Sequence, residues 1–291
     1  TISGNNCLVD PSLDTDIRNG ITVFDLVLIQ RDLLLIEPLD SPYKIIAADV
    51  NNSGRVNVAD LVLLQRVALF VDDAFPGNES WRFVDASYNF IDPADPLAEA
   101  FPEVYDCTIS PGNVSDVNFV GIKVGDVSGN ASTNVQQDGT DRLWTENLML
   151  SFAERAFSAG EEFTVTFSGA LESPLLGMQL GLAVDVGQLE VVEVMAGGVG
   201  GNPEGTLKYA GANTGLLSIL WLEAEGKLEQ GANELFTLRL RAKVDGSLGA
   251  ASSGSNHLAP EAVVNRRGNL VQMGIDIRRD ISTSVSGVAT P

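Results

Sequence analysis

The sequence predicts an α+β chain of two parts: a small α-helical module built from a duplicated loop–helix unit, followed by an antiparallel β-sandwich. Three observations carry that expectation. A segment of 18 residues repeats at an offset of 35, the apolar period switches from helical to alternating after residue 146, and a polar, turn-rich stretch separates the two regimes. The expected boundaries are 1–131 for the helical module with a wrapping segment, 132–145 for a linker and 146–291 for the sandwich.

The repeat sets residues 14–31 over 49–66, with eight of 18 positions identical: Asp14/Asp49, Val23/Val58, Asp25/Asp60, Leu26/Leu61, Val27/Val62, Leu28/Leu63, Gln30/Gln65 and Arg31/Arg66. Each copy reads as a polar loop feeding an apolar helix, the helices running over about 25–35 and 60–70. Pro38 is expected to stop the first, and Asp72, Asp73 and Pro76 the second.

The loops carry chemistry. In 49–60, oxygen-bearing side chains occupy positions 1, 3, 5, 9 and 12 as Asp49, Asn51, Ser53, Asn57 and Asp60, with Gly54 at the sharp turn and the Arg55 carbonyl available at position 7. Ca²⁺ takes six to eight oxygens around one point, and alternate positions of a tight EF-hand-like loop aim them there. The competing reading is an Asn/Ser-rich turn that caps a helix through Asp60. The first copy offers Asp14, Asp16, Thr22 and Asp25, with the Gly20 carbonyl, but Arg18 stands at position 5, where it cannot ligate. That loop reads either as a weaker Ca²⁺ site or as one kept for packing.

Two such repeats, each with an acid followed by Leu and an Arg six residues beyond it, resemble a dockerin module over about residues 10–75. The resemblance implies a calcium-binding helical domain that docks on a cohesin partner. It also implies recognition positions: Val23, Phe24, Gln30, Arg31 and Leu35 in copy one, and Val58, Ala59, Gln65, Arg66 and Phe70 in copy two. Cellulosomal dockerins usually carry small hydroxyl residues where this chain has Val-Phe and Val-Ala, so a different specificity is expected. The apolar residues could instead be covered by the chain's own residues 76–125. The runs LDSPYKIIAADVNNSG, FPGNESWRFVDASYNF and NFVGIKVGDVSGNA further resemble dockerin-like regions of bacterial surface proteins of the type IX secretion route. That implies an extracellular or cell-surface location.

Residues 76–131 do not repeat the loop–helix pattern. Five prolines argue for irregular chain, and Trp81, Phe83, Tyr88, Phe90, Phe101, Tyr105 and Phe119 give it anchors. A strand is expected within 117–127. Asp126, Ser128 and Asn130 repeat the 1, 3, 5 spacing of a calcium loop, but position 12 would be Gln137, so the segment reads as a plain turn. Cys7 and Cys107 fit neither a redox pair nor a metal knuckle, and in an acidic, Lys-poor chain of secreted character they read as one disulfide. The alternative is two unpaired cysteines.

After the linker, LMLSFAERA, EEFTVTFSG, MQLGLAVD, QLEVVEVMA, GLLSILWLE, ELFTLRLRAKV and LVQMGIDIRR alternate apolar and polar residues between turn signals, as strands with one buried face do. Seven to nine such strands indicate a sandwich. FSAGEEFTVTF, MQLGLAVDVGQLEVVEV, GLLSILWLE and ANELFTLRLRAKV come in an order that resembles a cohesin-like jelly roll over about 146–280. A carbohydrate-binding sandwich is the alternative. The aromatics available for a sugar platform are Trp144, Phe152, Phe157, Phe163, Phe167, Tyr209, Trp221 and Phe236, most on apolar phases.

Composition excludes several functions. Asp plus Glu number 39 against 18 Lys plus Arg, a net charge of −21, which opposes nucleic acid and anionic membranes and favours multivalent cations. No apolar run is long enough to span a bilayer. The opening TISGNN, without Met, reads as a processed product or a fragment. The single histidine, His257, sits in a loop-like stretch as a surface residue, and no acid pair occupies a catalytic motif, so no enzyme activity is expected. The functions left are a calcium-stabilised structural or adhesion protein assembling through dockerin–cohesin-like contacts, copies of itself included, and so into filaments; a non-catalytic adaptor; or a sugar-binding module.

Overall fold

The computed structural model describes residues 8–13, 16–106, 117–133, 146–197, 207–224, 231–255 and 257–280. Cys7, Cys107, Asp14 and Trp144 lie outside the described residues. The chain divides into two compact units, Thr1–Arg142 and Leu143–Pro291. No helix among the described residues is long and apolar enough to cross a membrane.

The first unit holds three helices, α1 (Val23–Leu33), α2 (Pro42–Ala48) and α3 (Val58–Ala68). α1 and α3 start two residues earlier than the apolar pattern suggests, because Thr22 and Asn57 open capping boxes there. They also stop before any proline acts. Leu35 and Phe70 adopt left-handed φ of 58° and 60°. The amides of Ile36 and Val71 then donate back to the carbonyls of Arg31 and Arg66, at 2.9 and 2.8 Å. The duplication therefore extends through the helix C-caps. Leu26, Ile29, Ile46, Leu64 and Val67 are buried at this unit's centre.

The rest of the unit wraps these helices. Strand β1 (Leu8–Val9) and strand β2 (Trp81–Asp85) each find an antiparallel partner downstream: β1 pairs with β3 (Tyr105–Asp106), and β2 with β4 (Phe119–Lys123). Phe90 makes edge contacts with Tyr43, Tyr88 and Phe101, which anchors the irregular stretch. β4 is shorter than the expected strand because Gly125 turns away at φ +86°. A Cβ there would lie 2.6 Å from Leu64 Cδ1, so only glycine lets the chain pass this close to α3.

The second unit is a β-sandwich. Its strands are β5 (Asn147–Ala153), β6 (Ala156–Phe157), β7 (Glu162–Leu171), β8 (Leu175–Val184), β9 (Leu189–Ala196), β10 (Leu207–Ala210), β11 (Leu216–Leu222), β12 (Gly231–Ala242), β13 (Gly246–Ser247), β14 (Ser252–Ser255), β15 (Glu261–Arg266) and β16 (Asn269–Asp280). One short helix, α4 (Leu248–Ala251), precedes β14. The hydrogen-bonded order is β10-β11-β8-β15-β16-β5-β7-β12-β9, with β14 also on β8, while β6 and β13 form a separate pair. All pairings are antiparallel except β5 with β16.

Alternation decides the core. Phe163, Val165 and Phe167 of β7 and Leu148, Leu150 and Phe152 of β5 point inward. Phe167 stacks on Phe236 with ring centroids 4.5 Å apart. β8 departs from the pattern and is buried along nearly all its length. Its second face is lined by small residues and Gln179, and the 257–259 stretch lies over it. Gln179 Nε2 donates to the Ala259 carbonyl at 3.0 Å, and a Cβ on Gly181 would meet the His257 ring at 2.6 Å. His257 is thus half-buried rather than a surface residue. Its ring nitrogens meet Ser218 Oγ at 3.0 Å and Ser255 Oγ at 2.8 Å, and burial lowers its pKa from the ordinary 6.5.

Phe236→Ala is expected to destabilise the sandwich by about 3–5 kcal/mol, since the ring is fully enclosed and stacked. Chemical denaturation followed by Trp fluorescence checks this, and a loss below about 1 kcal/mol would contradict the packing described.

Candidate calcium loops and docking face

The loop before α3 gathers oxygens. Asp49 Oδ1 accepts from the Ser53 amide at 2.8 Å, and Oδ2 from the Gly54 amide at 2.8 Å. Ser53 Oγ lies 3.4 Å from Asp49 Oδ1 and donates to the Arg55 carbonyl at 3.2 Å. Asn51 Oδ1 accepts from the Ser53 amide at 3.1 Å. Asn52 and Gly54, at φ 54° and 80°, make the tight curl possible. Asp60 then ties the loop to the helix: Oδ1 accepts from the Asn51 amide at 3.2 Å and Oδ2 from the Asn57 amide at 2.9 Å.

Asp49 and Asp60 are both fully buried. Burial raises the Asp60 carboxyl above its usual range, and Asp49 adds to this. Among the described residues neither carboxylate pairs with a Lys or Arg. Asn57 Oδ1 is committed to capping α3 through the Ala59 amide at 2.8 Å. Among the described residues no three acidic, His or Cys side chains form a metal cluster by themselves; the donor set here is mixed, with Ser, Asn and backbone oxygens beside two carboxylates.

The first copy is built differently. Thr22 caps α1, accepting from the Phe24 amide at 3.2 Å, and Asp25 Oδ2 accepts from the Thr22 amide at 2.9 Å, as in α3. But Asp16 is exposed, and its carboxylate accepts from the Arg18 amide at 2.9 Å. Arg18 turns to the far end of α3. Its Nε donates to the Val67 carbonyl at 3.0 Å, its Nη2 to the Asp72 carbonyl at 2.8 Å, and the guanidinium lies 4.2 Å from the centre of the Phe70 ring. Arg18 thus closes a helix C-terminus rather than lining a loop.

Asp25 finds its partner elsewhere. Its Oδ1 accepts from the Ser128 amide at 2.8 Å, from 103 residues downstream. The carboxyl is fully enclosed, and burial followed by the neighbouring Asp126 pushes it up to about 8. Lys123 lies close by; its Nζ donates to the carbonyls of Ile17 and Val124 at 2.7 and 3.1 Å, and burial brings its pKa down to about 8. Asp126 is thus brought beside Asp25, a contact that the turn reading of 126–131 does not anticipate. The signal was present: DVSGNA at 126–131 parallels DVNNSG at 49–54.

The expected docking residues separate by copy. On α3, Val58 is 65% exposed and Val62 46%, and Arg66 follows one turn later with its side chain half exposed and paired to Asp72 at 2.6 Å. Phe70 continues the stripe at 45%. On α1 the equivalents Val23, Val27 and Arg31 are buried, and Arg31 is paired with Glu37 at 3.2 Å. Phe24 is half-buried. Leu35 alone in that copy stands out, at 92% exposure and in the left-handed region.

Residues 14–67 match the family model of the dockerin type I domain. No curated protein matches the chain. Among solved structures, the sixth cohesin of Acetivibrio cellulolyticus scaffoldin B, determined with a Cel5 dockerin mutant, is 14% identical, with 46% of this chain and 99% of that one covered at a TM-score of 0.39. A type I cohesin–dockerin complex from Clostridium thermocellum is 16% identical over 46% of this chain and 100% of that one, with a TM-score of 0.36. A non-cellulosomal cohesin from the archaeon Archaeoglobus fulgidus is 13% identical over 46% and 84%, at 0.28.

Leu35→Gly is expected to leave the helical unit's melting temperature unchanged or to raise it, because glycine relieves about 1 kcal/mol of left-handed strain and almost no packing is lost. A fall of several degrees in a thermal melt would show that Leu35 is packed in solution.

Proposed function

We propose that this chain is a non-catalytic assembly protein of the extracellular or cell-surface space, in which calcium controls docking of its dockerin-like unit on a protein partner. A dockerin-like unit and a cohesin-like sandwich in one chain support protein–protein assembly. The observation that carries the calcium-controlled reading is the exposed stripe of Val58, Val62 and Arg66 on a helix rooted in the Asp49 loop, continued by Phe70 just beyond the helix end. Buried Asp49 and Asp60 have no basic partner among the described residues, and Ser53 Oγ lies beside both Asp49 Oδ1 and the Arg55 carbonyl, a run of hard oxygens that fits Ca²⁺. Asp49, Asn51, Ser53, Arg55 through its carbonyl, and Asp60 would hold the ion.

The partner in this reading is a sandwich of the cohesin kind, and a second copy of this chain qualifies. A head-to-tail contact of that sort does not close on itself unless its rotation makes a ring, so it extends into filaments. Only the α3 stripe is offered, since Val23, Val27 and Arg31, the equivalents on α1 itself, are buried. A disulfide between Cys7 and Cys107 belongs to the proposal: the β1–β3 ladder pairs Leu8 with Asp106, one residue short of each cysteine along the sequence. The sugar-binding alternative finds little support, because among the described aromatics of the sandwich Tyr209 is the exposed one.

Chelation is expected to lower the melting temperature of the helical unit and its helical circular dichroism, since helices of 11 residues are marginal alone. Asp49→Ala with Asp60→Ala should remove that calcium response. A melt indifferent to chelator would sink the calcium reading. Light scattering with excess Ca²⁺ tests assembly. Growth that Val62→Glu abolishes supports the α3 stripe, and a monomer at high concentration excludes self-assembly. Titration of the unreduced, unfolded chain should find no free thiol.

A further inference from the structure

We propose that residues 126–131 and the first turn of α1 together form a second divalent-cation site, split across the chain, which takes Ca²⁺ through Asp126, Ser128, Asn130 and Asp25. The proposal extends the calcium reading of the Asp49 loop and rests on the same ligand chemistry.

The two assemblies match group for group. Asp126 Oδ1 accepts from the Gly129 and Asn130 amides at 2.7 and 3.2 Å, and Oδ2 from the Ala131 amide at 2.7 Å. Asp49 takes the corresponding amides of Ser53 and Gly54. The fourth position is left-handed in both, Asn52 at 54° and Gly129 at 74°. Val50 and Val127, at the second position, are both fully buried. The third-position amide reaches the helix acid in both, Asn51 to Asp60 and Ser128 to Asp25. The first half of an EF-hand-like loop is thus supplied from residues 126–131 and the second half from residues up to Asp25.

A separate observation points to an ion. Asn130 Oδ1, at the fifth position, is sealed from solvent and accepts no hydrogen bond from the described residues. Its own Nδ2 donates to Ser128 Oγ at 2.6 Å, and that hydroxyl lies 3.0 Å from Asp126 Oδ1. An orphaned buried acceptor is costly unless something satisfies it. Among the described residues no donor serves this one, and the groups beside it, Ser128 Oγ and two carboxylates, are the oxygen types that Ca²⁺ takes. The ammonium of Lys123 spends its hydrogen bonds on backbone carbonyls and meets Asp126 and Asp25 through charge alone, leaving their oxygens open to an ion.

The chain is shaped to bring the halves together. Asn19 clamps Ser132 at both polar ends, Nδ2 to its carbonyl at 2.6 Å and Oδ1 from its amide at 3.1 Å. A Cβ on Gly20 would fall 2.6–2.8 Å from Ala131, backbone included. Glycine there permits the approach.

Calorimetric titration of the chelator-stripped full chain with Ca²⁺ tests this. About two equivalents are expected, falling to about one in Asn130→Ala. Asn130→Ala is the deciding variant because its side chain receives none of the backbone amides that hold the loop; circular dichroism confirms that it folds. Asp49→Asn should remove the other equivalent, and Asp14→Asn should remove neither. One equivalent in the parent chain, lost in Asp49→Asn, overturns the split site and leaves the Asp49 reading standing. Two equivalents of which Asp14→Asn removes one and Asn130→Ala none also overturns it. No binding at all overturns both readings.

Discussion

The helical unit depends on holding four carboxylates away from water. Asp25, Asp49 and Asp60 are fully enclosed, and Asp126 is 7% exposed. Burying an unpaired carboxylate costs several kcal/mol, so each must be met. In this unit backbone amides meet them: Asn51, Ser53, Gly54 and Asn57 on one side, and Thr22, Ser128, Gly129, Asn130 and Ala131 on the other. Aiming so many amides at so few oxygens fixes the curl of both loops, the start of both helices and the path of the wrapping segment.

The same constraint explains why the duplication is asymmetric. The 49–60 loop is continuous and leaves its helix free along one side. The first helix instead draws its loop partner from beyond residue 117, and the equivalent side of α1 is buried. The two copies therefore differ in what they expose: Val58 and Val62 on α3 face solvent, and Val23 and Val27 on α1 do not.

Much of this was legible in the sequence, wherever local chemistry decided the outcome. The offset of 35 located both helices, and the capping residues Thr22 and Asn57 were visible beside Asp25 and Asp60. All seven alternating segments became strands, because burial on one face imprints itself on the sequence. β10, β14 and β15 escaped notice: they are four to six residues long, too short for a period to register. Helix ends were assigned to Pro38 and Pro76, whereas Leu35 and Phe70 end the helices by adopting a backbone conformation that their residue types do not advertise. The placement of Asp126 beside the first helix is the feature least legible in the sequence. Its relation to Asp25 is a contact across about 100 residues, and a linear count to position 12 could only land on Gln137. His257 was misjudged for a related reason, since its partner Ser218 lies 39 residues away on β11.

The parallel pairing of β5 with β16 has a mechanical consequence. These are the first and last strands of the sandwich, they are adjacent, and seven register pairs join them from Asn147↔Gly274 to Ala153↔Asp280. Because they run the same way, a pull that draws Asn147 and Asp280 apart acts along the strands in opposite directions. The load falls on every rung at once, as in shear, instead of opening the ladder one hydrogen bond at a time. A unit strung between neighbours under tension is therefore built to resist being unzipped.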